Sequence, residues 1–166
     1  MQRQPIEFCW VAGVLVVATV VSACSAVRSS GTKTGGLSGD PHSPPTNNVW
    51  DGVYTLAQAE RGEEIYQKQC ASCHGRALEG NEHFCGPALA DITFWNQWNG
   101  TTVGDLYDRI QTTMPENKAG SLDGPESAAI VSFLLKSNDL PSGQKDLPSD
   151  MPTLNRIGLT NRKPKR

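Results

Sequence analysis

The sequence predicts an all-α domain of three main helices joined by long loops. Three segments place apolar residues at helical spacing behind a start signal, no segment alternates as a strand does, and one long stretch between the first and second helices has no period. An unstructured stretch of that length counts against a compact domain unless it wraps something, and the helices supply few side chains for a core. The expectation is a small helical fold closed around a large prosthetic group.

The first helix is read over residues 55–73, "TLAQAERGEEIYQKQCASC". Thr55 and Gln58 have the spacing of a capping box, and Ala59, Gly62, Ile65, Tyr66, Gln69 and Cys70 fall on one face. Residues 75–100 follow, and within them "CGPALADITFWNQWNG" has the Gly, Pro and Asn-Gly content of loops. The second helix opens at Thr102 with Asp105 three residues on, and carries Val103, Leu106, Tyr107 and Ile110 as its stripe. Pro115 ends it near Met114. The third starts at Asp123 or Gly124 with Pro125 in its first turn. Its stripe of Ala129, Ile130, Phe133 and Leu134 is flanked by Val131 and Leu135, so it should be covered on two sides.

The 166 residues carry a formal net charge of −2, with no repeat and no central basic stripe. One domain is expected, and no nucleic-acid partner. Residues 1–23 read as a signal peptide: Arg3 supplies the positive start, and the apolar stretch over residues 11–21 is shorter than the roughly 20 residues a spanning helix needs. It ends in "VSAC", which resembles the lipobox of bacterial lipoproteins, in which the cysteine, here Cys24, is acylated. Cleavage at an ordinary small-residue site, giving a soluble periplasmic protein, or an uncleaved anchor are the alternatives. Residues 24–49 are expected to be the lipidated N-terminus and a flexible Ser/Gly/Pro linker reaching about 25–30 Å. His42 within it has no ligand candidate beside it and is given no role. The folded domain is placed at 50–140, with an extended basic tail at 141–166.

"CASCH", Cys70, Cys73 and His74, carries the chemistry. A thioredoxin-like pair would start a helix inside a βαβ pattern, whereas this one ends a helix with no strand before it. A structural zinc site wants a second pair at comparable spacing, which His83 and Cys85 imitate poorly. Covalent attachment of a c-type haem needs these residues in this order: two thiols, each adding to one vinyl group, and an adjacent imidazole fixed as an axial ligand. An exported chain is where such attachment occurs.

Residues 66–75, the later Met114-Pro115 and the terminal helix resemble a monohaem class I c-type cytochrome over about residues 53–140. "GPALAD", "FWNQWNG", "TTMPENKAGSL" and "LPSGQKDLP" are similar to cytochrome domains associated with bacterial PQQ-dependent dehydrogenases. The resemblance implies one covalent haem c, with Met114 as the second axial ligand in preference to Met151, and Pro87 as the carbonyl that accepts from the proximal His74. It also implies that Gly62, Tyr66 and Phe133 meet where the first and last helices cross. Trp95 and Trp98 are expected to pack as core near the haem. His83 is read as a surface residue and Cys85 as a leftover thiol.

The resulting expectation is not an enzyme but a periplasmic, lipid-tethered electron carrier. Its donor would be a dehydrogenase, a quinoprotein by resemblance, and its acceptor an oxidase or another cytochrome. A fixed subunit of a larger complex, a haem-based gas sensor and a peroxidase-like enzyme with an open iron are the rivals. Residues 50–136 hold twelve acidic side chains against six basic ones, which suits a partner with a basic docking patch. The terminal "NRKPKR" is basic instead and reads as a solvated end.

Overall fold

The computed structural model describes residues 44–81 and 86–165, and among them the three expected helices form together with three shorter ones. In chain order they are β1 (Asn47–Asn48), α1 (Leu56–Gln69), α2 (Ala71–His74), α3 (Asp91–Trp98), α4 (Val103–Thr113), α5 (Gly124–Ser137), α6 (Met151–Leu154) and β2 (Ile157–Gly158). The expected signal peptide, Cys24, most of the linker with His42, and also His83 and Cys85 lie outside the described residues.

Start signals are met largely as the sequence implies. Thr102 and Asp105 complete a reciprocal capping box on α4, and Asp123 does the same with Glu126 on α5, where Pro125 sits in the first turn. At α1 only half of the expected box forms. Thr55 accepts from the Gln58 backbone at 3.1 Å, but the Gln58 side chain is buried and pairs with both backbone groups of Leu147, at 2.9 and 2.7 Å. The glutamine is drawn away from the cap by an unpartnered backbone strand of the later chain, which it satisfies in full.

α1 and α5 cross at Gly62. A Cβ there would stand 1.9 Å from the Ala129 carbonyl oxygen, so only glycine admits the α5 backbone this closely. Tyr66 and Phe133 pack beside the crossing with ring centroids 5.2 Å apart, as expected. α5 is buried on both sides through Ala128, Ile130, Val131, Leu134 and Leu135.

Three expectations are corrected. The first helix does not run unbroken to Cys73: Cys70 leaves the helical region (φ −120°, ψ −34°) and α2 resumes for one turn. The apolar period continues across the break, so a stripe cannot register it. Within the stretch read as loop, residues 91–98 form α3, which buries Phe94 and Trp98 four residues apart. Its pattern is blurred because Ile92, 68% exposed, is apolar on the outer face.

The third correction concerns both ends of the domain. Residues 141–160 are not a tail: Leu147, Leu154, Ile157 and Leu159 are each at most 4% exposed. Their burial contributes about 1.5–3 kcal/mol apiece. β2 pairs in parallel with β1, matching Asn47 to Ile157 and Asn48 to Gly158, so the folded chain begins before residue 50. The Trp50 indole donates to the Thr160 carbonyl at 2.9 Å and closes the same contact. Irregular spacing among prolines hid these leucines from any periodic reading.

Two predictions follow from the fold. Gly62→Ala should destabilise by about 1–3 kcal/mol in denaturant titration, because backbone must move to admit one methyl group. Asp146 receives the Thr55 hydroxyl and the Arg61 guanidinium, and its pKa lies below the ordinary carboxylate value, the Thr55 hydrogen bond being the largest cause. A lowered folded pKa stabilises above the unfolded value near about 4 and is lost as pH falls through the folded one. Asp146→Asn should therefore cost up to about 1 kcal/mol at neutral pH, since the pair is half exposed, and the gap from wild type should close in acid.

Candidate functional site

The break at Cys70 and the one-turn helix after it turn "CASCH" inward. Gly75, at φ +81°, ends α2 with its N–H on the Ala71 carbonyl, and the buried Tyr66 hydroxyl donates to the Gly75 carbonyl at 2.7 Å. The turn is thereby tied to the face of α1 that also packs on α5.

His74 is held on two sides. Gly80 N–H donates to its carbonyl at 2.8 Å, and its ring Nδ1 lies 2.8 Å from the Pro87 carbonyl oxygen. Since a carbonyl only accepts, Nδ1 is the donor there, which leaves Nε2 as the ring nitrogen that could ligate. Gly86 makes this approach possible: a Cβ there would fall 1.9 Å from the Cys73 carbonyl oxygen. The loop is pinned beyond this point by Asn138, a buried residue just after α5. Its side chain donates to the Leu89 and Leu134 carbonyls and accepts from Asp91 N–H. Sequence reasoning passed over Asn138, which belongs to no periodic stripe.

These elements enclose a cavity of about 550 Å³. Cys70, Cys73, His74, Pro87 and Met114 all border it, so all five residues singled out for the site within the described chain converge on one space. Met151 instead starts α6 and packs against the core. The remaining wall is mostly apolar: Leu106 and Ile110 of α4, Ile130 and Leu134 of α5, Leu89 and Trp98. Trp98 is buried, and Trp95 packs on Phe94 edge to face at 5.1 Å, so both tryptophans serve as packing. Burial pushes the Cys70 thiol up to about 11, with the neighbouring Cys73 adding to the shift. A redox-active Cys-x-x-Cys works through a lowered thiol pKa, the opposite of the direction at Cys70.

The family described as cytochrome c oxidase, cbb3-type, subunit III matches residues 57–134, a span that contains all five residues. A curated relative, cytochrome c-551 of Bacillus subtilis (strain 168), is 32% identical over 83 residues, which are 50% of this chain and 67% of that protein. The chain belongs to the c-type cytochromes. A chain of the crystal structure of the sulfane dehydrogenase SoxCD from Paracoccus pantotrophus aligns at a TM-score of 0.44 and 26% identity, covering 68% of this chain and 63% of that one.

As a cytochrome, the protein is an electron carrier whose cofactor is covalently bound haem c. The cavity fits such a group. Its volume lies inside the range of about 300–1,000 Å³ typical of small-molecule and cofactor sites, its wall is mostly apolar, and the donor set that haem c requires borders it. Among the described residues no helix is long and apolar enough to cross a membrane.

Gly86→Ala tests the grip on His74. It should cost about 1–3 kcal/mol through the clash with the Cys73 carbonyl. It should also speed solvent exchange of the His74 Nδ1 proton, read by nuclear magnetic resonance of the haem-loaded protein, because the Pro87 carbonyl is displaced.

Proposed function

We propose that the protein is a membrane-tethered monohaem carrier on the periplasmic side of a bacterial membrane. It takes single electrons from a dehydrogenase, a quinoprotein by the resemblance of its loop motifs, and passes them to an oxidase or another cytochrome. Cys70 and Cys73 are the thioether anchors, His74 and Met114 the axial ligands, Pro87 the carbonyl that fixes the His74 tautomer, and Cys24 the acylated residue. The observation that carries the reading is the convergence of both thiols, an imidazole with its Nδ1 proton held by Pro87, and Met114 on one apolar cavity.

When bound, the haem supplies a reversible one-electron couple. The chain's own residues set how that couple behaves. His74 is oriented before any ligand arrives, because a neighbouring carbonyl holds its proton. A thioether ligand from Met114 favours ferrous iron and raises the potential relative to two histidines. Leu106, Ile110, Ile130 and Leu134 keep water from the interior, which favours the less charged state in the same direction. Lipid on Cys24 would hold the carrier at the surface, since about two acyl chains make a stable anchor.

Optical spectra of the haem-loaded domain test the assignment. The wild type should be low-spin, should ignore carbon monoxide, and should lose its sulfur-to-iron charge-transfer band in Met114→Ala. Ready binding of carbon monoxide by the wild type would mean an open iron, and the gas-sensor or peroxidase reading would replace the carrier.

A further inference from the structure

α4 is a wall with two faces. Toward the cavity it presents Leu106, Ile110 and, as its C-terminal cap, Met114, four residues apart along one side of the helix. Beside that stripe a second strip, Gly104 with Tyr107, is also buried although neither residue borders the cavity. The later chain covers it. A Cβ on Gly104 would lie 1.9 Å from Asn155 Oδ1, in direct contact with the residue that ends α6. Thr102 bridges to Gly158, Leu159 N–H donates to the Thr101 carbonyl at 2.8 Å, and Gly100 N–H donates to the Leu159 carbonyl at 2.8 Å. Leu154 of α6, with no exposed surface, belongs to the same core cluster as Val103 and Tyr107, and α6 packs on α4.

We infer that residues 150–160 are a positioning element for Met114: they back the helix that carries it and so set how firmly its thioether stays on the iron. The segment lies beyond the residues that match the family, 57–134. Tyr107 already reaches the Gly124 carbonyl at the start of α5, whereas without the segment Gly104 would face water and the first turn of α4 would be free to tilt away from the cavity. A helix of 11 residues is a stiff lever about 16 Å long, and movement at its first turn appears at its last. No residue of the segment lines the cavity, so its effect passes through α4.

The inference rests on Met114 being an axial ligand, and the test separates the two. In the full haem-loaded chain, Leu154→Ala is compared with Leu147→Ala, which removes an equally buried leucine from the part of the same extension that packs on α1. Both should lose stability to denaturant. Only Leu154→Ala should weaken the sulfur-to-iron band of the ferric protein and raise the affinity for added imidazole, a competitor for the Met114 position, by about tenfold or more. Gly104→Ala, whose methyl group would displace the Asn155 side chain and crowd its backbone N at 3.1 Å without opening a cavity, should do the same. If the wild type lacks the sulfur band, the ligand assignment itself fails. If the wild type has it and Leu154→Ala and Gly104→Ala leave band and imidazole affinity as they are in Leu147→Ala, the positioning role fails.

Discussion

The rest of the structure depends on the close crossing of α1 and α5 at Gly62. Because α5 backbone lies where a side chain on α1 would be, the two helices share one buried seam. Both ends of function hang from that seam. α1 leads directly into Cys70, Cys73 and His74, while α5 supplies Ile130 and Leu134 to the far wall of the same cavity. A larger spacing between the helices would widen the cavity and move the proximal ligand together. Tyr66 serves both tasks, stacking near Phe133 at the seam and donating its hydroxyl to Gly75 where the ligand turn ends. That hydroxyl stays protonated, because burial raises its pKa well above the ordinary tyrosine value.

A second constraint acts on the loop that wraps the cavity. Backbone bonds tie it to itself at Asn81–Gly86 and Leu78–Leu89. Three further contacts fix it to helix ends: Gly86 against Cys73, the Pro87 carbonyl on His74, and Asn138 on Leu89 and Asp91. Helix ends carry unpaired carbonyl and N–H groups, and satisfying them is what gives an aperiodic segment one conformation.

How much of this could be read in advance follows from what periodicity detects. α4 and α5 were legible to their boundaries, since stripe, cap and the proline after α4 agree. The convergence of Cys70, Cys73 and His74 was legible from a motif whose order encodes chemistry, and the places of Met114 and Pro87 only through resemblance to a family. What stayed hidden was long-range and local at once. Gln58 looks like a capping residue until Leu147, far along the chain, takes its side chain. Leu154, Ile157 and Leu159 look like scattered residues of a proline-rich tail until β1 and α4 provide surfaces for them. Neither case violates local propensity; the partner that decides it is simply not a neighbour in sequence.

Charge is distributed differently from what the acidic total of the domain implies. Glu60, Glu63 and Glu64 gather with Lys68 and Arg76 on a groove along the outer side of α1. The exposed border of the cavity is instead made of amides and hydroxyls, Gln69, Ser72, Gln97 and Asn117, and its two charged side chains, Arg109 and Glu116, are of opposite sign. A protein partner meeting the cavity edge therefore meets a nearly neutral rim. The groove on α1 is itself nearly balanced, since Lys68 and Arg76 stand among its glutamates and Glu63 pairs with Lys136 at 3.5 Å. A rim without net charge has no buried ion pair to break, so a contact made there parts readily.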